Sequence, residues 1–429
     1  MATETNIALL GYGTVGAAVD RLLAASADDI ERATGHRLRV VRALVRDPGR
    51  HPAAPAGLLT TDFDEIADDP SIAVVAEAMG GLEPAGPYVL ALLQRGKHVV
   101  TANKQLVARR APELFAAATA SGVQLRFEAS VCAAIPVIKV LREALVVTNV
   151  HRVLGIVNGT TNFVLTEMEG GATYAEALAD AQARGYAEAD PTDDVSGADA
   201  AAKMAILATV AFNTRVALED VDHTGITEID PIDVTAAREL EMVVRLVGAA
   251  RLAEGGYDVR VEPAFVDAQH PLAKVDGAFN AVMLQGDAIR EITLAGPGAG
   301  GTETASAIVA DIAGVLGSTG PQGDPVWRDL PRLPPGESRS PFYFRLFVED
   351  QPGTLARVAE ILARHAISVA RLVQHQDGNG ATLHVVTHEA AAGALANALD
   401  DLGALAEVRR RSRPIPVVSD RGVAELGWA

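Results

Sequence analysis

Hydrophobic and polar positions follow two alternating periods in the first part of the chain, residues 1–130. Short β-branched runs such as "NIALL", "LRVVRALV" and "IAVVAEA" alternate with longer stretches of helical periodicity, the first of which begins at Val15. Two further strand-like runs, "KHVVTA" and "VQLRFEA", complete this part. Strands that alternate with helices are typical of parallel strands joined by crossover helices. The pattern therefore predicts a doubly wound parallel α/β sheet.

The pattern changes after this first domain. Helical stretches such as "YAEALADAQARG" and strand-like runs such as "HRVLGIV" predict an α+β domain over residues 131–300. Residues 319–340 are rich in Pro and Gly without an apolar period, which indicates a linker. Residues 341–429 contain a strand, an amphipathic helix, two strands and a second helix. This βαββα order predicts a small ferredoxin-like domain.

Composition narrows the class of protein. The chain of 429 residues exceeds what one hydrophobic core usually supports, which agrees with several domains. Its net charge of -18 repels nucleic acid and anionic membrane surfaces, so small molecules are the expected partners. The sequence shows no apolar run of about 20 residues and no secretory signal, so we expect a cytoplasmic location. Cys132, the only cysteine, lies among small residues, which predicts a buried thiol without a chemical role.

Gly11, Gly13 and Gly16 follow the first predicted strand in the spacing G-x-G-x-x-G. In a Rossmann-type fold these glycines permit a tight turn, the approach of a pyrophosphate and close packing of the helix on the strand. The motif therefore indicates dinucleotide binding. Arg46 ends the second strand, and Asp47 follows it. An arginine at this position suits the 2′-phosphate of NADP and favours it over NAD, although Arg46 could equally be a solvated surface charge.

Asp199 and Lys203 are the only charged residues in the apolar stretch "ADAAAKMAILATVAF". Because they are four residues apart, they share one face of a helix. One interpretation is a surface salt bridge worth about 0.2–0.5 kcal/mol. The apolar neighbours favour a buried helix, where an acid beside a base suits proton transfer. The residues alone leave both interpretations open.

Acidic residues are concentrated just before this helix. They are Glu188, Asp190, Asp193 and Asp194. They form either a solvated loop or a site that presents a carboxylate to a substrate ammonium group. No His, Cys and Asp spacing typical of a zinc site accompanies them.

The segment "GYAEADPTDDVSGADAAAK" resembles the most characteristic segment of the homoserine dehydrogenase family. The segments "GYGTVG", "TANKQL", "GIVNGTTNF" and "GPGAGGTETASAIVADI" match the same family in order and approximate spacing. The C-terminal part resembles an ACT domain, a regulatory amino-acid-sensing domain. Its "D-x-P-G-x-L" core consists of Asp350, Pro352, Gly353 and Leu355.

This resemblance implies a reversible NAD(P)-dependent reduction of L-aspartate 4-semialdehyde to L-homoserine, a step of threonine, methionine and isoleucine biosynthesis. It implies that Lys203 is the general acid/base at the substrate oxygen and that Lys104 reaches the cofactor and the reacting centre. By the same resemblance, Asp199 is expected to contact the substrate and to help set the protonation of the lysine. Glu188, through the substrate amino group, and Asp194 are further substrate-binding candidates.

The resemblance also implies a nucleotide site and a cation site. The nucleotide-binding candidates are Gly11, Gly13, Thr14, Val15, Gly16, Arg46, Thr101, Lys104, Gly185 and Gly301. A helix near residues 301–318 is expected to rejoin the first domain. The family holds a monovalent cation, usually sodium, largely through backbone oxygens, and the matching residues are Glu128, Val131, Ala133 and Ile135. This chain departs from the family where Ala133 and Ala134 replace glycines, which restricts the backbone next to this site.

The ACT-like domain implies feedback control, with threonine as the first candidate effector, or a domain that only dimerises. We expect at least a homodimer, since the family's middle domain pairs through a sheet, and the C-terminal domains could extend it to a homotetramer. The alternatives to this enzyme are another NAD(P)-dependent amino-acid dehydrogenase and a non-catalytic amino-acid and nucleotide sensor. Four retained residues favour catalysis over sensing: Lys104, Glu188, Asp199 and Lys203.

Overall fold

The structure, a computed structural model, describes residues 3–317, 327–334, 336–378 and 380–419. Part of the predicted linker, residues 319–326 and 335, and the last residues of the predicted C-terminal domain, 420–429, lie outside the described residues. The chain forms two compact units. The first contains Met1–Gly159, Asp199–Asp222 and Ala278–Asp329, and the second contains Thr160–Ala198, His223–Gly277 and Leu330–Ala429.

The α-helices and strands are numbered in chain order. The α-helices are α1 (Thr14–Ala25), α2 (Ala27–Thr34), α3 (Asp64–Ala67), α4 (Ala85–Gln94), α5 (Lys104–Ala120), α6 (Val137–Lys139), α7 (Gly159–Glu169), α8 (Tyr174–Ala183), α9 (Thr192–Val195), α10 (Ala198–Phe212), α11 (Pro231–Glu239), α12 (Gly301–Gly317), α13 (Thr354–Arg364) and α14 (Ala392–Gly403). Short 3-10 helices lie at Pro48–Arg50, Glu128–Ser130, Leu218–Asp220 and Pro271–Lys274, and a π-helical turn lies at Val140–Ala144.

The strands are β1 (Thr3–Leu10), β2 (His36–Leu44), β3 (Leu59–Thr60), β4 (Ile72–Glu77), β5 (His98–Thr101), β6 (Leu125–Arg126), β7 (Val150–Ile156), β8 (Asp222–His223), β9 (Met242–Ala253), β10 (Gly256–Asp267), β11 (Phe279–Gly286), β12 (Arg290–Pro297), β13 (Arg339–Ser340), β14 (Phe342–Glu349), β15 (Val369–Asp377), β16 (Gly380–Thr387), β17 (Ala390–Ala391), β18 (Val408–Arg411) and β19 (Ile415–Val418). No helix among the described residues is both long enough and apolar enough to cross a membrane.

The first unit contains a parallel six-stranded sheet in the order β3-β2-β1-β4-β5-β6. This is the strand order of a Rossmann-type fold, which confirms the predicted doubly wound sheet. The carboxyl ends of the central strands are in register, because Leu10 pairs with Glu77 and Glu77 pairs with Thr101. The strand order reverses beside β1, and ligands bind at this edge in such sheets.

Helix α12 packs on the same core as α1, although they are far apart in sequence. Ile308, Ile312 and Val315 recur at helical spacing on α12 and are buried with Val19 and Leu23 of α1. Such a stripe is typical of a helix that covers one face of a sheet. The helix expected near residues 301–318 therefore packs on the nucleotide-binding sheet. The exact boundaries of the predicted domains stay predictions.

The first unit also contains the antiparallel strands β12, β11 and β7. Met283 in the middle of β11 pairs with Leu154 on one side and Thr293 on the other. Helix α10 packs on β7, since a Cβ atom added at Gly155 would lie 3.7 Å from the sulfur of Met204. This contact fixes the position of α10 relative to the end of β7.

The second unit joins the hairpin β9-β10 to the sheet of the C-terminal domain through β19. Phe265 of β10 pairs with Val417 of β19 in parallel, and Phe342 of β14 pairs with Pro416 in the antiparallel direction. The predicted βαββα order appears as β14, α13, β15, β16 and α14. The structure adds a closing strand, β18, next to β14. Sequence analysis missed β18 because its sequence, VRRR, is largely charged and exposed.

Candidate active site

The glycine turn lies between β1 and α1. Gly11 has φ +99, and a Cβ atom there would lie 3.0 Å from the carbonyl oxygen of Ala78. A Cβ atom at Gly16 would lie 2.2 Å from the carbonyl oxygen of Gly11, so only glycine allows this approach. Gly13 has open space around it and caps α1 without a side chain. The first N–H groups of α1 are therefore accessible to an anion.

Two other predicted nucleotide-binding residues lie beside this turn. A Cβ atom at Gly301 would lie 2.7 Å from Cγ2 of Thr14, so the start of α12 contacts the start of α1, next to Val15. Thr101 is fully buried at the end of β5 and donates a hydrogen bond to Glu77 at the end of β4. Burial raises the pKa of Glu77, although hydrogen bonds from Thr101 and from backbone N–H groups oppose this. Sequence analysis did not single out Glu77.

Arg46 and Asp47, which follow β2, lie in different environments. Oδ1 of Asp47 accepts a hydrogen bond from the backbone N–H of Gly49 at 2.9 Å and caps the 3-10 helix Pro48–Arg50. This carboxylate is therefore engaged within its own loop. Arg46 and Arg50 are exposed on either side of it.

The buried carboxylate of Asp199 brings two lysines together in the first unit. Nζ of Lys203 lies 2.7 Å from Oδ2 of Asp199, one helical turn away on α10. Nζ of Lys104, the first residue of α5, donates to Oδ1 of the same carboxylate. The Asp199 side chain is 5% exposed and that of Lys203 12%, so the interpretation as a surface salt bridge is wrong. The Lys104 side chain is 37% exposed.

The end of β7 supplies two more contacts to this cluster. The carbonyl oxygen of Val157 accepts a hydrogen bond from Nζ of Lys203 at 2.8 Å. Nδ2 of Asn158 donates to Oδ2 of Asp199 at 2.9 Å. Sequence analysis assigned no role to either residue. The sequence signal that could have identified Asn158 is a polar residue directly after a strand of largely apolar residues. In the structure Asn158 is 4% exposed.

The electrostatics of the cluster favour an ionised Asp199. Burial opposes its ionisation, but the charges of Lys203 and Lys104 and their hydrogen bonds outweigh burial and hold its pKa far below the ordinary value. Two ammonium groups around one carboxylate leave an excess of positive charge. Such a site stabilises an oxygen that becomes negative during a reaction.

Cys132 is buried near the cluster. It is 1% exposed, and burial raises the pKa of its thiol to about 11, although the nearby charge of Lys203 opposes this. A thiol with this pKa remains protonated at neutral pH and is a poor nucleophile. The structure thus agrees with the prediction of a buried thiol.

The predicted substrate carboxylates lie in the second unit. Asp194 is partly buried, and its Oδ2 accepts a hydrogen bond from Oγ1 of Thr160 at 3.1 Å. Glu188 is exposed and follows Gly185, whose φ is +74. Asp190 instead accepts hydrogen bonds from the backbone and side chain of Thr192. Asp193 is exposed.

The segment predicted to bind a cation could ligate it through backbone carbonyl oxygens but not through the Glu128 carboxylate. The carboxylate of Glu128 accepts hydrogen bonds from the backbone N–H groups of Ile138 at 2.8 Å and Lys139 at 2.7 Å, so it is already engaged. The carbonyl oxygens of Glu128 and Ile135 each accept one backbone hydrogen bond, and each retains a second lone pair. Ala133 has φ +42, a left-handed conformation that costs about 1–2 kcal/mol in a non-glycine residue. The departure from glycine therefore preserves the turn at an energetic cost.

A glycine turn at the reversal of a parallel sheet, together with a buried lysine and aspartate cluster in the same unit, defines a dinucleotide-dependent oxidoreductase. Family models agree with this class. Residues 11–128 match "Homoserine dehydrogenase, NAD binding domain", residues 136–313 match "Homoserine dehydrogenase", and residues 342–407 match "ACT domain".

Similar proteins carry the same name over almost the whole chain. The homoserine dehydrogenase of Mycobacterium tuberculosis is 44% identical over 417 residues, which cover 92% of this chain and 94% of that protein. That of Corynebacterium glutamicum is 41% identical over 401 residues, which cover 90% of each. The crystal structure of a homoserine dehydrogenase from Thiobacillus denitrificans has a TM-score of 0.92 at 40% identity and covers 97% of this chain and 99% of that chain. A hyperthermophilic archaeal homoserine dehydrogenase in complex with NADPH has a TM-score of 0.62 at 28% identity and covers 72% of this chain and 97% of that chain.

The chain therefore belongs to the homoserine dehydrogenase family. It is an NAD(P)-dependent oxidoreductase with a C-terminal ACT domain. This decides against the two alternatives, another amino-acid dehydrogenase and a non-catalytic sensor.

Proposed function

We propose that Lys203 is the general acid/base in the reversible reduction of L-aspartate 4-semialdehyde to L-homoserine, with Asp199 and Lys104 as its partners. The observation that carries this assignment is the buried Asp199 carboxylate, which contacts both lysines. An ion pair this poorly exposed to water needs a reason, because burying charges is expensive. Proton transfer in the N-terminal half of α10 provides one.

Hydride and proton transfer have separate sources in this proposal. The nicotinamide, when bound, supplies the hydride to the aldehyde carbon or accepts it from the alcohol carbon. Lys203 gives a proton to the developing alkoxide during reduction and takes the hydroxyl proton during oxidation. Asp199 keeps the lysine charged before it donates, and the Val157 carbonyl orients its Nζ. Lys104 adds a second positive charge near the reacting oxygen.

Substrate recognition is assigned to the acidic segment of the second unit. Glu188 is exposed and available for the substrate ammonium group, as the family resemblance implies. Asp194 is held by Thr160 at the start of α7, which restricts its rotamers. We assign Asp194 a supporting role in binding the same end of the substrate. Asp190 is a weaker candidate, since its carboxylate is engaged with Thr192.

NADP is the proposed cofactor. The proposed nucleotide-binding residues are the glycine turn, formed by Gly11, Gly13, Thr14, Val15 and Gly16, with Thr101, Lys104 and Gly301. The family resemblance adds Gly185. An acid that binds the ribose hydroxyls is the usual mark of an NAD site. Asp47 is the nearest acid after β2, and its carboxylate caps its own loop. Arg46 is exposed beside it, which suits a 2′-phosphate. The NADPH complex of an archaeal homoserine dehydrogenase supports this choice by similarity.

The cation, the effector and the assembly complete the proposal. Backbone oxygens of Glu128, Val131, Ala133 and Ile135 would hold a sodium ion, and the second lone pairs on the carbonyl oxygens of Glu128 and Ile135 support this. Threonine is the proposed effector of the ACT domain, and a homodimer or homotetramer in the cytoplasm is the proposed form of the enzyme.

An initial-rate assay tests these assignments together. Oxidation of L-homoserine is measured with NADP and with NAD, in sodium and in potassium buffers, with and without threonine. We expect a higher kcat/KM with NADP than with NAD and a lower rate with threonine. Equal kcat/KM values for both cofactors would remove the role of Arg46, and a threonine-independent rate would rule out threonine as the effector.

A further inference from the structure

A cavity of about 700 Å³ lies within the first unit and is separate from the glycine turn. Its walls come from α5, the C-terminal half of α10, the π-helical turn Val140–Ala144 and the segments around Phe127 and Trp327. Volumes of about 300–1,000 Å³ are typical of small-molecule sites. The charged side chains of its lining are three arginines, Arg126, Arg142 and Arg215, and one acid, Glu143.

Arg126 is already engaged by its neighbours. Its guanidinium donates to Gln124 at 3.0 Å, to Glu143 at 3.0 Å and to the carbonyl oxygen of Gly314 at 3.3 Å. The single acid of the lining is thus paired with this arginine.

Arg142 differs from Arg126. Its guanidinium carbon lies 5.2 Å from the ring centre of Phe115 and 5.9 Å from that of Phe127. Within the described part of the chain, Arg142 contacts these two ring faces and has no hydrogen-bond acceptor. Burial, followed by the like charge of Arg126, lowers the pKa of Arg142 to about 10. An anion in the cavity would relieve both effects.

The apolar part of the cavity is aromatic. The ring centres of Phe115 and Phe127 are 5.7 Å apart, and those of Phe115 and Trp327 are 6.0 Å apart. Aromatic rings prefer edge and offset contacts with another ring at such distances. A ligand that combines a flat apolar group with one negative charge therefore matches the lining.

We propose that this cavity is a second binding site, for a small carboxylate with an aromatic body, and that Arg142 anchors the carboxylate. The site is distinct from that of the reaction, but it shares two helices with it. Val107, Ala108 and Ala111 line the cavity three, four and seven residues after Lys104 on α5. Ile206 and Val210 do so three and seven residues after Lys203 on α10. These spacings belong to one helical face.

The test uses 3-phenylpropionate as the probe and the full-length enzyme, with binding followed by ligand-observed NMR and calorimetry. Saturable binding is expected in the millimolar range or tighter, because the probe has few heavy atoms through which to gain affinity. The neutral 3-phenylpropanamide should bind at least about tenfold more weakly, because it lacks the charge that pairs with the guanidinium.

Variants locate the binding. Arg142→Met keeps contact with the Phe rings but removes the charge, and should weaken binding at least about tenfold. Arg109→Met is the matched control, since Arg109 is an exposed arginine on α5 whose partner is Glu219. It should change binding less than about twofold. Ala108→Phe fills the cavity without altering a charge and should abolish binding, which keeps the test valid if Arg142→Met is unstable.

The variant Lys104→Met distinguishes binding of the probe in the cavity from binding in the reaction site. Binding that persists in Lys104→Met and is lost in Arg142→Met supports the proposal. The reverse result would mean that the probe occupies the reaction site, and the proposal would be wrong. Equal affinity for the carboxylate and the amide, or no saturable binding to the unaltered enzyme, would also overturn it.

Discussion

At the scale of single residues, Asp199 connects two parts of the first unit that are distant in sequence. One of its oxygens accepts from Lys104 at the start of α5, and the other accepts from Asn158 at the end of β7 and contacts Lys203. Removing one member of a buried ion pair usually costs about 3–5 kcal/mol because it leaves an uncompensated charge. In this cluster the second lysine limits that cost. Lys203 can therefore be replaced without leaving Asp199 unpaired.

Replacement of Lys203 tests its chemical role directly. In Lys203→Ala we expect kcat to fall at least about a hundredfold, since general acid/base catalysis contributes about 10²–10⁴-fold. The NADP dissociation constant, measured by fluorescence titration, should stay within about twofold because the glycine turn is unchanged. Lys274→Ala, at an exposed lysine, is the control. A Lys203→Ala enzyme that keeps most of its turnover would refute the assignment.

Asn158 is predicted to position Asp199 rather than to react. A hydrogen bond to a charged group is worth about 1.5–3 kcal/mol, so Asn158→Ala should lower kcat roughly tenfold or more. Asn158→Asp should be worse, since it places a second carboxylate against Oδ2 of Asp199. Steady-state kinetics should show unchanged KM for NADP in both variants. Asn149→Ala removes a comparable amide from an exposed acid, Asp287, and should have no effect. Equal losses in Asn149→Ala and Asn158→Ala would contradict the positioning role.

At the scale of elements, short spacings in the sequence predicted the features that form within a single turn or helix. The glycine turn and the contact between Asp199 and Lys203 follow from short spacings within one turn or one helix, and both could be read from the sequence. Contacts of Asp199 with Lys104 and Asn158 span 95 and 41 residues. They depend on the packing of α10 against β7 and α5, which no local pattern contains. The capping role of Asp47 was missed for a different reason: it is a local contact with Gly49, but a carboxylate turned into its own loop has the same sequence as one that faces a ligand.

The segment after β2 is predicted to set cofactor preference. Arg46→Ala should raise KM for NADP about tenfold or more, because a charge-assisted contact with the 2′-phosphate is lost. KM for NAD should change less than about threefold, since NAD lacks this phosphate. Arg37→Ala, at the opposite end of β2 with ion pairs to Glu31 and Asp28, provides the control. Initial rates over a range of each cofactor give these values. A parallel rise of both KM values would show that Arg46 only shapes the loop.

At the scale of the larger units, the second unit buries a polar face of the ACT sheet. Arg345 on β14 lies 2.9 Å from Asp233 and 3.2 Å from Asp230 at the start of α11. On the adjacent strand, Nδ1 of His384 is 2.9 Å from the hydroxyl of Tyr343. The ring of Tyr343 stacks on Phe265 of β10 at 4.4 Å. The ACT sheet is thus joined to α11 by ion pairs of Arg345 and to β10 by ring stacking, as well as by β19. Sequence analysis identified the ACT domain but could not predict this face, since its partners come from outside that domain.

This polar face should make stability depend on pH. His384 is 6% exposed, and burial, with a smaller contribution from His375, lowers its pKa below the ordinary 6.5. Glu239 opposes this shift, Arg345 adds to it, and Tyr343 shares the hydrogen bond. Between the folded pKa and 6.5 the unfolded chain binds more protons than the folded one. The free energy of unfolding therefore rises with pH across this window and falls as the solution is acidified.

Urea unfolding followed by far-UV circular dichroism between pH 5 and 7.5 measures this dependence. Stability should decrease as the pH falls below 6.5, and His384→Gln should flatten that slope, because glutamine occupies the site without taking up a proton. His388→Gln is the matched control, since His388 is exposed just after the same strand and has no buried ring to protonate. If His384→Gln kept the full slope, or if His388→Gln flattened it equally, the acid sensitivity would have to come from other groups, and the buried face of the ACT sheet would not be its source.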